Sequence, residues 1–284
     1  MKIASIDIGT NAIKSKIFST TPASIKFVQG MRSPIRLGSE VFEEGQLSKI
    51  KLNQVIETIQ GYEEIFKSND ITHYEIIATS AFRDTTNSEE ARRYIETAIH
   101  HPLRIISGLE EAKLIGFHPQ ASAGKTKLFV DLGGGSTEFY FRQEEEIEIR
   151  SFQLGAVRNM LKKDEIEEWK RLEAWLLSIK PVRKLTGIGG NIKSFLESQN
   201  ATSLKTKDFN ERAGQLSQLT TKKKILTYQF SPDRADVIDD ALKIFKFIAE
   251  TLGIEVITST KWGVSDSIAV KLFHEIYSKD IEFN

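Results

Sequence analysis

Lys127–Arg142, KLFVDLGGGSTEFYFR, is an apolar run that stops at Asp131, crosses three consecutive glycines and resumes as an aromatic run. The apolar and aromatic segments on either side read as two strands. Three glycines between them weaken any packed element, because glycine loses the most backbone freedom on ordering. The turn must need them for another purpose. Glycine accepts positive φ and lets the main chain approach a ligand closely. Successive backbone N–H groups in such a turn can then converge on an anion.

The N-terminus repeats the pattern. IDIGTNAIKSKIF (6–18) lies over VDLGGGSTEFYFR (130–142) without a gap, Asp7 over Asp131 and Gly9 over Gly133, at a spacing close to half the chain. Each half thus opens with strand, Asp-x-Gly, polar turn, strand. Self-similarity at that spacing indicates two related domains facing one another, with two anion nests to clamp a phosphate chain from both sides. Asp131 ends one strand and Glu138 starts the next, so both carboxylates can face the turn. Such a pair beside a phosphate nest suits Mg²⁺, which takes a few carboxylates with waters and phosphate oxygens. Asp7 is a candidate third carboxylate.

Strands are expected at 2–8, 13–18, 74–80, 103–107, on both sides of GGGST, at 184–188 and at 254–260. Helices are expected at 51–68, 88–100, 109–117, 162–178, from Asn191, at 232–252 and at 265–278. Ser231, Pro232 and Gly253 read as N-cap, first turn and stop of the long helix. Alternating strands and helices make this an α/β protein. HPQASAGKT (118–126) reads as the linker, giving domains at 1–119 and 120–284. The polar, Lys-rich stretch 198–230 shows no clear organisation.

Composition narrows the function. The 284 residues are 40% hydrophobic and 27% charged, with 39 basic against 39 acidic residues, so no overall field draws the chain to nucleic acid or membrane. The absence of cysteine excludes disulfides, Cys-ligated zinc and thiol chemistry. No apolar run approaches the roughly 18 residues of a membrane span, and MKIASIDIGT has no apolar leader core, which points to the cytoplasm.

DIGTNA, ATSAFRDTTN, ISGLEEAKLIG, VDLGGGSTE, LGAVRN and GIGGN occur in that order, followed by RADVI and STKWGVSDS. Together they resemble the signature blocks of the exopolyphosphatase/guanosine pentaphosphate phosphatase (Ppx/GppA) family. That family belongs to the actin-like ATPase and sugar kinase superfamily, and the likeness is to its short, two-domain form. The resemblance implies two actin-like (ribonuclease H-like) domains with a cleft between them. It implies a Mg²⁺-dependent hydrolase that releases terminal orthophosphate from polyphosphate, from a (p)ppGpp-type nucleotide, or from both. By the same resemblance Glu111, the second glutamate of its block, is the general base and Arg83 contacts phosphate. Thr10, Asn11, Asn87, Gly133, Gly134, Gly135, Ser136 and Thr137 bind phosphate, and Asp131 and Glu138 associate with metal. Dimers are common in the family, which points to a homodimer.

The residues bear independently on two of these roles. Ser107 and Glu110 have capping-box spacing, giving Glu110 a structural task. Glu111 falls in the same first turn, where the helix dipole favours its ionised form. Six positions depart from the family pattern. Ala12 lacks a hydroxyl, Lys14 replaces arginine, Asn191 replaces threonine, and Ser265, Asp266 and Ser267 replace Arg, Glu and Gly. The last change removes a charged contact expected in the second domain. Two rival functions stay open, an ATP-dependent kinase of the superfamily and a catalytically weak polyphosphate- or alarmone-binding regulator. AGKT (123–126) is not a P-loop, since Pro119 occupies the place of its first glycine. The five histidines show no metal-binding spacing, and Lys222–Lys224 read as a solvated face or a guide for polyanions.

Overall fold

A computed structural model describes residues 1–121 and 126–279. The linker reading at 118–126, and AGKT within it, therefore lie partly outside the described residues. The chain forms two compact units.

The first unit opens with an antiparallel meander of β1 (Lys2–Ile8), β2 (Ile13–Thr21) and β3 (Ser24–Ser33). Helices α1 (Leu37–Glu44) and α2 (Lys49–Ser68) follow. Strand β4 (His73–Ala78), helices α3 (Ser80–Asp84) and α4 (Ser88–Ile99), strand β5 (Leu103–Ile105) and helix α5 (Gly108–Leu114) come next. The sheet order is β3-β2-β1-β4-β5, with β4 and β5 parallel to β1. Strand β1 is central and buried on both faces, which its run Ile3, Ala4, Ile6 and Ile8 satisfies.

The second unit repeats this plan. Strands β6 (Lys127–Leu132), β7 (Thr137–Gln143) and β8 (Glu146–Phe152) form the meander, followed by α6 (Ala156–Met160) and α7 (Ile166–Ser178). Then come β9 (Lys184–Ile188), α8 (Gly190–Ser198), β10 (Ser203–Lys205), α9 (Thr206–Ser217) and α10 (Thr221–Tyr228). Helices α11 (Pro232–Ala235) and α12 (Ile238–Leu252) and strand β11 (Val256–Ser259) complete it. Its order, β10-β11-β9-β6-β7-β8, is the first sheet's order with the short antiparallel β10 added at one edge. The stretch 198–230 is thus an edge strand and two helices.

The last helix, α13 (Val264–Lys279), belongs to the first unit, so a second domain running from 120 to the end is corrected. Hydrophobic packing gives the reason. Ala269, Leu272, Phe273 and Ile276 cover Ile3 and Phe18, while Ile268 and Val264 join Ile77, Ile106 and Leu114. Polar bonds fix the same face: Ser5 Oγ donates to the Ser265 carbonyl at 2.7 Å, and Lys16 pairs with Asp266. Residues 265–267 therefore lie in the first unit, and Asp266 keeps a charged contact there instead of vacating one in the second.

The helix expected over 232–252 is broken at Asp236–Val237. Pro232 occupies the first turn and Gly253 the left-handed C-cap, as expected, but Ser231 makes no side-chain capping bond. Among the described residues no helix is long and apolar enough to cross a membrane.

Candidate active site

The two quoted turns have one geometry. In β1–β2, Asp7 faces Lys14 and Ile8 faces Ile13, and Gly9 N–H donates to the Ala12 carbonyl at 3.2 Å. In β6–β7, Asp131 faces Glu138 and Leu132 faces Thr137, and Gly133 N–H donates to the Ser136 carbonyl at 3.0 Å. Gly9 and Gly133 do not adopt left-handed backbone, which corrects that part of the glycine argument. Close approach is what the glycines serve. A Cβ on Gly133 would lie 3.3 Å from the Ser136 carbonyl oxygen, and one on Gly155 would lie 2.6 Å from the backbone of Gly134 and Gly135. The GGG turn and the LGAVRN block touch main chain to main chain.

Each turn is braced by the segment that follows its meander. Gly38 N–H donates to the Thr10 carbonyl at 2.9 Å, and Arg36 N–H to the Asn11 carbonyl at 3.0 Å. In the second unit Ala156 N–H donates to Gly133 O at 3.1 Å and Val157 N–H to Gly134 O at 2.7 Å. Arg158 Nε, buried, donates to Gly135 O at 2.7 Å. A trans peptide points its C=O and the next N–H in opposite directions. With three carbonyls drawn toward α6, the N–H groups of Gly134, Gly135 and Ser136 face the other way. Three N–H groups turned away from α6 on a tight turn are donors that an anion could use. Arg158 and Gly155 had no role assigned from sequence, although their block was recognised; only the fold shows which turn they brace.

The same cross-strand position holds different chemistry in the two units. Asp7, buried, lies 3.5 Å from the half-exposed ammonium of Lys14, so this acid has a cation of its own. Asp131 and Glu138 are 8% and 1% exposed and directly opposed on one face of β6–β7. Ser151 Oγ donates to Glu138 Oε1 at 2.9 Å and orients it. Two buried, opposed carboxylates, one already held by a hydroxyl, fit a hard divalent cation. Among the described residues no three acidic or histidine side chains form a metal cluster.

Glu111 sits in the first turn of α5, behind the expected capping box. Ser107 Oγ accepts the Glu110 N–H at 3.2 Å, and Glu110 Oε2 accepts the Ser107 N–H at 2.8 Å. Those bonds to Ser107 hold the exposed Glu110 carboxyl below the usual range. Glu111 points inward and is 8% exposed. Arg83 Nη1 donates to Glu111 Oε2 at 2.9 Å and to the Ile106 carbonyl at 2.9 Å. Burial pushes the Glu111 pKa up. Arg83 opposes that rise, Asp7 adds to it and Lys14 opposes it. Burial therefore works against the ionised form that the first-turn position favours. A carboxyl raised toward the working pH makes a stronger base once deprotonated.

Two expected phosphate contacts have other work. Asn87 Oδ1 accepts from Leu47 N–H at 3.1 Å and from Thr85 Oγ1 at 2.7 Å, and its Nδ2 donates to the Leu47 carbonyl at 2.9 Å. It ties the segment between α1 and α2 to the start of α4. Thr137 Oγ1, fully buried, donates to the Leu154 carbonyl at 2.6 Å, so its hydroxyl supports the turn from behind. Thr10 is buried, and both Thr10 and Asn11 contribute braced carbonyls. Lys224 is buried and paired with Asp239, leaving Lys222 and Lys223 as the exposed part of that run. Asn191 is not a helix cap: Gly189 holds that place, and Asn191 Oδ1 accepts from Arg234 Nη1 at 2.7 Å.

A duplicated sheet with one braced hairpin turn per unit defines an α/β protein of two like-built units. The chain belongs to the Ppx/GppA phosphatase family, whose sequence profile matches residues 16–275. It is 25% identical to the guanosine-5'-triphosphate,3'-diphosphate pyrophosphatase of Aeromonas hydrophila, over 90% of this chain and 56% of that protein. The Aeromonas salmonicida protein of the same name is 24% identical with the same coverage. The chain thus spans about half the length of these curated relatives. In fold it is similar to an exopolyphosphatase from Cytophaga hutchinsonii, with a TM-score of 0.86 at 20% identity over 97% of this chain and 98% of that one. The Aquifex aeolicus Ppx/GppA family member gives 0.77 at 22% identity, covering 99% of both chains.

Proposed function

We propose that the chain is a phosphohydrolase that releases terminal orthophosphate from a phosphoanhydride chain, inorganic polyphosphate or a guanosine pentaphosphate-type nucleotide. The observation that carries this reading is the Arg83–Glu111 pair. The pair sets a buried carboxylate beside a guanidinium, a base next to the side chain whose planar fork suits phosphate oxygens. The names of the pyrophosphatase and exopolyphosphatase relatives supply the substrate class.

In this reading Glu111 accepts the proton of the attacking water through its carboxylate. Arg83 orients Glu111 and offsets charge that develops on the phosphoryl oxygens. The N–H groups of Gly134, Gly135 and Ser136 donate to phosphate oxygens. Asp131 and Glu138 would hold a Mg²⁺ ion, which would supply neutralising charge for the phosphates. Little covalent work falls to the protein; positioning and fixed charge provide most of the rate. Ala12 and Lys14 leave this set intact. Of the Ser265–Ser267 changes, Asp266 supports the docking of α13 through Lys16, so it does not favour a regulator over an enzyme.

The test is phosphate release by the purified chain from long-chain polyphosphate, guanosine pentaphosphate and ATP, with Mg²⁺ and with EDTA. Mg²⁺-dependent release from either of the first two supports the reading. ATP-dependent phosphorylation of an acceptor, or tight binding without turnover, contradicts it.

A further inference from the structure

The end of β9 lies beside Asp131. Ile188 is the parallel register partner of Asp131, and the chain then turns through Gly189 and Gly190 into α8. Gly189 has a φ of 101°, a left-handed-side conformation that side chains resist. Its α-carbon is pressed on the second hairpin: a Cβ there would lie 2.9 Å from the Leu132 carbonyl oxygen and 3.4 Å from Asp131 Oδ1. The position of this turn therefore limits where the Asp131 carboxylate can sit.

A residue remote in sequence fastens the turn. Arg234, on the short helix α11, lays its guanidinium against Gly190, where a Cβ would meet Nη2 at 2.2 Å and Nη1 at 2.8 Å. Its Nη1 donates to the buried Asn191 Oδ1 at 2.7 Å. Gly190 thus admits the guanidinium to the start of α8, and Asn191 receives it. The Arg234 backbone is itself fixed, with its N–H on the Ser231 carbonyl at 2.9 Å and its carbonyl accepting Val237 N–H at 3.2 Å.

We infer that Arg234 is a positioning residue for the Asp131–Glu138 carboxylate pair, acting through the Gly189–Asn191 turn. The inference rests on the reading of that pair as cation ligands. Groups that orient ligating carboxylates typically govern metal affinity by 10–100-fold without touching the metal. Arg234 would act at one remove further, by holding the wall against which Asp131 packs.

The experiment measures Mn²⁺ affinity of the full chain by electron paramagnetic resonance, together with the melting temperature, for wild type, Asp131→Asn, Arg234→Gln, Arg234→Lys and Gly190→Ala. Gly190→Ala keeps the arginine and displaces only its guanidinium, so it decides the matter even if Arg234→Gln does not fold. The expected result is Mn²⁺ binding in wild type, its loss in Asp131→Asn, and about tenfold weaker binding in both Arg234→Gln and Gly190→Ala. Arg234→Lys, which retains one donor to Asn191, should fall between. Wild-type affinity in folded Arg234→Gln or Gly190→Ala overturns the positioning role while the carboxylate pair stands. No Mn²⁺ binding by wild type, or unchanged binding in Asp131→Asn, overturns the pair itself and the inference with it.

Discussion

Arg83 and Glu111 share a hydrogen bond of 2.9 Å, and the same Arg83 nitrogen also holds the Ile106 carbonyl just beyond β5. One guanidinium nitrogen thus fixes the proposed base and the strand end leading to its helix. It opposes the rise in the Glu111 pKa that burial produces, with Lys14 acting in the same sense and Asp7 against them.

Replacing Arg83 with Gln removes the strongest opposition to that rise. The base works only when deprotonated, so the acid limb of the pH–rate profile should move to higher pH in Arg83→Gln. Breaking a partly buried pair should also cost up to ~3 kcal/mol of stability. A pH–rate profile whose acid limb stays in place, or moves to lower pH, would show that Arg83 does not set the titration of the base.

Stability should carry the same signature. The folded pKa of Glu111 lies above its ordinary carboxylate value of 4.5. Folding therefore favours the protonated acid, and its contribution is fully present below the unfolded pKa and lost as pH rises through the folded one. Wild type should lose stability relative to Glu111→Gln over that interval. Urea denaturation of both proteins at stepped pH values upward from 4.5 should show the difference in slope; parallel curves would argue against a raised Glu111.

Gly155→Ala tests the contact between the GGG turn and α6. Gly155 has extended backbone, φ −158°, which alanine adopts freely, so the only penalty is the added methyl against Gly134 and Gly135. Overpacking of backbone against backbone should cost about 1–3 kcal/mol. It should also raise the KM for polyphosphate, because the braced N–H groups shift. Normal melting and normal KM together would mean that the turn has room to spare.

Ile268→Ala tests where the last helix belongs. Ile268 is 1% exposed and packs on Ile77, Ile106 and Leu114, the last two on either side of Glu111 in sequence. A cavity there should cost ~2–5 kcal/mol and lower kcat, since α5 loses its backing. Thermal unfolding and kinetics of the variant report both. An unaffected first unit would place α13 elsewhere.

The features that could be read from sequence were those written locally. The paired turns showed because Asp-x-Gly between strands is short-range turn chemistry, and the capping box showed because Ser107 and Glu110 lie three residues apart. Strands β3 and β8 did not show: both are edge strands with long exposed stretches, SIKFVQGMRS loses its alternation at Phe27–Val28, and EIEIRSF alternates but leaves Ile147 exposed. Helix α1 begins at Arg36 in left-handed conformation with no side-chain cap, so no start signal marks it. The amphipathic face of α13 predicts burial but not which sheet receives it. Arg234 and Arg158 act through carbonyls and glycines distant in the chain, and only tertiary structure pairs them.

Glu111 remains the centre of the account, and single-turnover phosphate release at saturating polyphosphate tests it most directly. Glu111→Gln keeps the size and a hydrogen bond to Arg83 but cannot accept the proton. The rate should fall by about 10²–10⁴-fold while substrate affinity stays near that of wild type. Release at the wild-type rate by a folded Glu111→Gln would contradict the assignment.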